Sequence, residues 1–218
     1  MPVIDASKSQ SDLPSHGEPH PGKPGLGKPE LRRLLRDRRR ELTCSQQNTA
    51  ALATTLRLLR SDWFRHSDKL AFYLANDGEI DTALLMHVAL DLGKQCFLPR
   101  IDRSTQPLMQ FARYRRGDRL IRNRFGIAEP LPRATLIAPA ELDLVLMPLV
   151  GFDRHGGRLG MGAGYYDRSF AHKRLRPGAQ PTLIGLAHEC QRLELLPNND
   201  WDVPLDGVVS DTATYRFR

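Results

Sequence analysis

Between residues 28 and 42, Leu31, Leu34, Leu35 and Leu42 recur at helical spacing, and arginines fill many of the other positions. This predicts a helix with one apolar face. Pro29 suits its first turn. A second helix is predicted over 45–59, with Ser45 as its cap and Ala50, Leu52, Ala53, Leu56 and Leu59 on one side. Trp63 and Phe64 read as core. The pattern then changes. Leu70-Ala-Phe-Tyr-Leu-Ala75 and Cys96-Phe-Leu-Pro99 are short continuous apolar runs, as buried strands are. Between them, Asn76-Asp-Gly-Glu79 reads as a turn and 82–92 as a helix ending at Gly93. Strand, helix, strand predicts a parallel pairing. Residues 102–124 read as a less regular excursion or a hairpin. Leu144-Val-Leu-Met-Pro148 and Thr182-Leu-Ile-Gly-Leu-Ala187 are further strands, and 201–209 closes the sheet. The predicted class is α/β.

Residues 1–27 show no hydrophobic period and are rich in Pro, Gly, Ser and His. They predict a disordered tail, leaving 28–218 as a single domain. His16 and His20 are too sparse for a metal tract. The composition, 40% hydrophobic and 26% charged, suits a globular chain. A net charge of +7 favours anionic partners without choosing among nucleic acid, nucleotides and polyanionic metabolites. Cys44, Cys96 and Cys190 are odd in number and far apart. They suggest neither a disulfide framework nor a zinc site, and a reducing cytoplasm fits best. No signal peptide and no bilayer-spanning run are expected.

One stretch carries most of the chemistry: Gly151-Phe-Asp-Arg-His-Gly-Gly-Arg-Leu-Gly-Met-Gly-Ala-Gly-Tyr-Tyr-Asp-Arg168. It follows the strand ending at Pro148, and residues 169–174 are predicted to start a helix. Gly160, Gly162 and Gly164 alternate between Arg158 and Arg168. Backbone without Cβ atoms, next to a helix start and flanked by cations, is suited to cradling phosphate. Asp167 stands where a Mg²⁺ accompanying phosphates would need an oxygen ligand. The loop matches neither G-x-x-x-x-G-K-[ST] nor G-x-G-x-x-G. A plain surface turn is the alternative.

Pro148, Phe152-Asp153, Gly156, Arg158-Leu-Gly160, Gly162 and Gly164-Tyr-Tyr-Asp-Arg168 together resemble the signature of the 5-formyltetrahydrofolate cyclo-ligase family. Pro99-Arg100 and Phe125-Gly-Ile-Ala-Glu-Pro130 agree with the same pattern. The resemblance covers about residues 28–211. It implies an α/β fold with helices on both faces of the sheet, like the ribose-5-phosphate isomerase and CoA-transferase group. It implies ATP- and Mg²⁺-dependent cyclisation of 5-formyltetrahydrofolate to 5,10-methenyltetrahydrofolate, with ADP and phosphate released.

The resemblance also implies residue roles. Lys28 and Arg32 match a Lys-x-x-x-Arg pair that binds ATP phosphates; a solvated basic face is the alternative. Arg158, Leu159, Gly160, Met161, Gly162, Ala163, Gly164, Tyr165 and Tyr166 would form the ATP loop, with Arg158 and Tyr166 catalytic. Met161 to Tyr165 would also face folate, together with Leu74, Glu79 and Phe125. Glu79 opens a Glu-Ile-Asp-Thr sequence, and a carboxylate there can accept from a pterin's N–H groups; favouring a helix N-terminus is its plainer role. Asp167 and Asp202 would hold Mg²⁺, with Asp206 competing for the second place. Ala163 stands where relatives often carry lysine or glycine.

Other polar residues read more simply. Arg36, Arg39 and Arg40 are expected on the surface. His188 and Cys190 are expected to be structural. The arginines at 113, 115, 116, 119, 122 and 124, with Tyr114 and Phe125 among them, are too short a run for a strong RNA signal. They could instead attract a folate's glutamate tail.

Overall fold

The structure, a computed structural model, describes residues 26–101, 108–123, 126–176 and 178–217. Most of the expected tail and Phe125, one of the expected folate contacts, lie outside the described residues. The chain begins with helices α1 (Lys28–Arg40), α2 (Cys44–Leu59) and α3 (Asp62–Arg65). Strand β1 (Lys69–Ala71), helix α4 (Ala83–Asp91) and strand β2 (Gln95–Ile101) form the expected strand–helix–strand unit. Strands β3 (Met109–Tyr114), β4 (Leu120–Arg122), β5 (Ala128–Pro130), β6 (Leu136–Ile137) and β7 (Leu144–Pro148) follow. Then come β8 (Gly151–Asp153), β9 (Arg158–Leu159), α5 (Tyr165–Ser169) and α6 (His172–Leu175). The last strands are β10 (Thr182–Ala187), β11 (Arg192–Leu193), β12 (Gly207–Ser210) and β13 (Thr214–Arg216).

The main sheet runs β13-β12-β10-β7-β1-β2-β3-β6. Its centre, from β12 to β2, is parallel; β13 and β3 flank it antiparallel, and β6 pairs antiparallel with β3. The central strands are apolar throughout because both faces are buried. Leu70, Leu144, Leu146, Ile184 and Leu186 pack against Leu58, Phe64, Leu85 and Met86 of α2, α3 and α4. Their sequence neighbours Ala71, Val145, Met147 and Leu183 point the other way, against Phe111, Phe152 and Phe170. Alternation of side chains along a strand fills both layers from one sequence run. Leu31 and Leu35 of α1 meet Val150, Leu159 and Leu193 in a third cluster, which seats α1 on the small sheet β11-β8-β9.

Several expectations change in detail. Helix α2 is capped by Thr43 rather than Ser45: the Gln46 N–H donates to the Thr43 hydroxyl at 3.2 Å, and the Gln46 side chain accepts from the Thr43 N–H at 2.8 Å. That reciprocal pair satisfies two otherwise unpaired donors. The ladder of β1 stops at Ala71, and 72–76 continue without regular pairing. The irregular excursion contains β3, the β4–β5 hairpin and β6.

The glycine-rich stretch is not one long loop. Its first part is the antiparallel pair β8–β9, closed by Asp153, which accepts from the N–H groups of His155 and Gly157 at 2.8 and 2.9 Å. The same carboxylate accepts from the Leu196 N–H at 3.0 Å. The helix after it starts at Tyr165, inside the motif, because Gly164 takes φ 67° and turns the chain there. None of the helices among the described residues is long and apolar enough to cross a membrane.

Candidate active site

Ligands on open α/β sheets gather at the carboxyl ends of the parallel strands. A cavity of about 890 Å³ lies there. Tyr73 and Leu74 after β1, Pro99 and Ile101 at the end of β2, and Met147 and Pro148 at the end of β7 form its floor. Met109, Ile127 and Ala128 add apolar wall, with Asn123 beside them. The start of α1 and the segment 158–168 supply the rest. Of the site residues expected from the sequence, Lys28, Arg32, Leu74, Glu79, Asp167 and Asp202 all line this cavity. So do Arg158, Leu159, Gly160, Met161, Gly162, Ala163, Gly164, Tyr165 and Tyr166.

At one end, two cation–carboxylate pairs face each other. Lys28 Nζ lies 2.6 Å from Asp202 Oδ2, and Arg158 Nη2 lies 2.6 Å from Asp167 Oδ1. Lys28 reaches the cavity from the first turn of α1; Arg158 reaches it from β9. Each carboxylate also accepts a backbone N–H, from Asn199 at 2.9 Å for Asp202 and from Val203 at 3.0 Å for Asp167. Burial pulls the Arg158 guanidinium below its usual pKa, while Asp167 and then Asp202 support its charge. Its Nε is buried and has no hydrogen-bond partner among the described residues, so this cation has donor capacity left over. Asp206 is placed differently. It accepts from buried Lys173 at 2.9 Å and from the Leu183 N–H at 2.8 Å, and it does not line the cavity.

Between these pairs runs the 160–164 backbone. Arg32 donates from Nε to the Gly160 carbonyl at 2.8 Å. A Cβ on Gly162, whose φ is +100°, would lie 3.3 Å from the Arg32 guanidinium carbon. Arg32 therefore holds the loop as well as facing the cavity. Since α5 has only five residues, a helix dipole adds little here. The positive potential comes from side chains. A divalent ion fits the donor set in one way. Among the described residues no three His, Cys, Asp or Glu side chains cluster to cage a metal. Asp167 and Asp202 supply two carboxylates at one cavity end, as Mg²⁺ needs when substrate phosphates and water complete its shell.

The other end is drier. Burial pushes the Glu79 carboxyl up to about 7, against Arg39 at 3.9 Å and the Asn76 N–H at 3.1 Å. The phenols of Tyr73 and Tyr166 are raised first by burial and then by the Glu79 charge. Tyr166 also feels Arg158, so it stands between the two ends.

Sequence reasoning placed Arg36, Arg39 and Arg40 on the surface; Arg40 is exposed and Arg36 half-buried, and the structure corrects the expectation for Arg39. Arg39 is fully buried, and all three guanidiniums contact Asp77. Burial raises the Asp77 carboxyl, but Arg36, Arg40 and Arg39 outweigh it and hold it down at about 2. The signal was present: Arg39 follows Lys28 by about three helical turns, on one stripe. Trp201, a cavity-lining residue 62% exposed beside Asp202, was expected only as part of the closing strand segment. His188 is buried with Nε2 3.1 Å from the Gly78 carbonyl oxygen, and burial lowers its pKa. Burial raises the Cys190 thiol to about 11, so it is a poor nucleophile. The described arginines of the basic run, from 113 to 122, stay off the cavity. Arg113 bonds Gln95, Arg116 bonds Asp91 and Arg122 bonds the Gly126 carbonyl.

The 5-formyltetrahydrofolate cyclo-ligase family model matches residues 25–211. The chain is 34% identical over 188 residues to the 5-formyltetrahydrofolate cyclo-ligase of Escherichia coli K12, covering 84% of this chain and 100% of that one. It is 36% identical over 184 residues to the Haemophilus influenzae cyclo-ligase, covering 83% and 95%. The NMR structure of Aquifex aeolicus 5,10-methenyltetrahydrofolate synthetase superposes with a TM-score of 0.74 at 29% identity, covering 88% of this chain and 93% of that one. The Mycoplasma pneumoniae synthetase, at 21% identity and a TM-score of 0.67 over 85% of this chain and 99% of that one, shares the fold.

Proposed function

Because the chain belongs to the 5-formyltetrahydrofolate cyclo-ligase family, we propose that its cavity performs an ATP- and Mg²⁺-dependent closure of 5-formyltetrahydrofolate to 5,10-methenyltetrahydrofolate. Cyclo-ligase activity in folate metabolism, with use of ATP, follows from family membership. The residue roles and the chemical steps are our reading of the cavity.

The formyl oxygen is a poor leaving group. Its attack on the γ-phosphorus of ATP releases ADP and gives an iminium phosphate. N10 then attacks the activated carbon, the N10 proton leaves, and phosphate departs with the former formyl oxygen. Such a reaction needs alignment and charge neutralisation more than a strong base. Lys28 and Arg158 neutralise phosphate oxygens. Arg32 holds the 160–164 backbone so that its N–H groups meet the same oxygens. Mg²⁺ held by Asp167 and Asp202 would offset the remaining phosphate charge. The exposed ring of Trp201 beside Asp202 offers a face on which a purine base stacks. Leu74 and Glu79 take the pterin, Glu79 as a paired acceptor for its amino and ring N–H groups. The 890 Å³ volume falls within the range of ligand pockets.

We read residues 28–218 as one domain and its compartment as reducing, since Cys44, Cys96 and Cys190 are unpaired. The observation that carries the functional reading is the shared cavity: the paired charges around 160–164 and the desolvated Glu79 open onto one space. Near-ultraviolet absorbance of 5-formyltetrahydrofolate mixed with protein, ATP and Mg²⁺ tests it. A methenyl band should rise only with both ATP and metal. A band that forms without either one would refute the phosphorylated route.

A further inference from the structure

Helix α1 touches both ends of the cavity. Its first two turns carry Lys28 and Arg32; its last turn carries Arg39. Arg39 is fully buried, which is rare for arginine unless its donors are matched. Here they are. Nε donates to the Asp77 carbonyl at 2.7 Å, Nη1 to the Leu149 carbonyl at 3.1 Å and Nη2 to the Asp77 carboxylate at 2.9 Å. Leu149 is the residue after Pro148, where the chain leaves β7 toward the glycine-rich segment. Asp77 and Gly78 have φ 54° and 78°, so the turn that presents Glu79 is a conformation most residues avoid. His188 contacts the same turn at the Gly78 carbonyl.

We infer that Arg39 is a positioning residue for the folate end: its fork locks the 76–79 turn to the root of the glycine segment and holds Glu79 as the carboxylate that receives the pterin. The inference rests on the proposed folate role of Glu79. The geometry explains why a carboxyl so far out of water keeps an ionised population near neutrality. Arg39 lies 3.9 Å away, and Arg36 acts on it from the same helix. Asp77, in its own turn, opposes ionisation. Tyr73 from the β1 extension and Tyr166 from α5 face it as neutral phenols. His188, from the segment after β10, reaches the turn's backbone, and burial lowers its pKa, which disfavours its cationic form. Among the described residues Arg39 is therefore the cation within 4 Å of Glu79. A guanidinium also suits the task because its planar fork serves two carbonyls and a carboxylate at once.

Equilibrium binding of 5-formyltetrahydrofolate without ATP, from pH 5.5 to 9, tests this. For the wild type, affinity should fall about tenfold per pH unit below pH 7. Arg39→Met should move that break upward by about one unit, so affinity is about tenfold lower at pH 7 and recovers by pH 9. Arg39→Gln, which keeps a donor, reads the same shift should the Met variant not fold. Arg39→Lys restores the wild-type break, and Glu79→Gln removes the pH dependence. ATP affinity, measured separately, stays within twofold in the Arg39 variants. A folded neutral variant with the wild-type break and a uniform loss at all pH values would mean Arg39 is only structural. An unchanged break in Glu79→Gln would overturn the inference too. No folate binding by wild type at any pH would overturn both this and the folate reading of the cavity.

Discussion

At the end of the cavity formed by α1's first turn and the 158–168 segment, each carboxylate has a cation at 2.6 Å. At the other end the arginines of α1 are taken up by Asp77, and Glu79 itself is left with Arg39 at 3.9 Å while burial dominates. The first end stores charge in matched pairs; the second holds one group off balance. Pairing offsets part of the desolvation cost of these charges while the cavity is empty of ligand, and a polyanion with its own counter-ion can take over both partners. An unbalanced carboxyl gains most when a ligand brings donors to it. The two ends thus suit a phosphate chain with its metal and a flat heterocycle with N–H edges.

The largest expected effect lies at the matched end. Asp167→Asn keeps an oxygen for the Val203 N–H but removes the charge opposite Arg158. Turnover with saturating ATP should fall by about three orders of magnitude, while 5-formyltetrahydrofolate affinity stays near wild type. Loss of folate affinity instead would merge the two ends into one.

Glu79→Gln comes next and separates binding from stability. A charge-assisted acceptor is lost, so folate affinity should fall on the order of 30-fold at pH 8. Stability should move the other way. The folded pKa of about 7 lies above the reference value of 4.5, so stability is full below 4.5 and declines as pH rises through 7. Gln avoids that cost, and the variant should be on the order of 2 kcal/mol more stable at pH 8 and no more stable at pH 4.5. Thermal melts at the two pH values check this. A lower melting temperature at pH 8 would show that Glu79 is not held off balance.

The smallest effect concerns the rim. Trp201→Ala should weaken ATP about tenfold and inorganic tripolyphosphate not at all, because stacking on a base contributes about 1–3 kcal/mol. Equal losses for both ligands would remove the ring from the purine's path.

The strands of the parallel centre were legible because a strand buried on both faces must be apolar at every position, as in 144–148 and 182–187. The glycine segment stood out as a cavity-lining element for a different reason: alternate glycines between arginines have few structural uses. Its first half misled. Asp153 and Gly157 close a β-turn under β8 and β9, and that pairing needs a partner strand, β11, some 40 residues on in sequence. Arg39 misled in the opposite sense. Arginine among arginines on a helix reads as solvated surface, and only the Asp77 turn packed on α1 supplies the acceptors that bury it.

The sequence by itself therefore determined the α/β class, the family and the glycine-rich segment that the fold sets against the cavity. Each of these is written in local periodicity or in residues close along the chain. The tertiary structure alone decided which carboxylate meets which cation, that Asp202 faces the cavity while Asp206 turns to Lys173, and that Glu79 lies dry beside Arg39. Those outcomes depend on contacts across tens to more than a hundred residues, and on the exclusion of water from one end of a cavity. Neither is encoded at any single position.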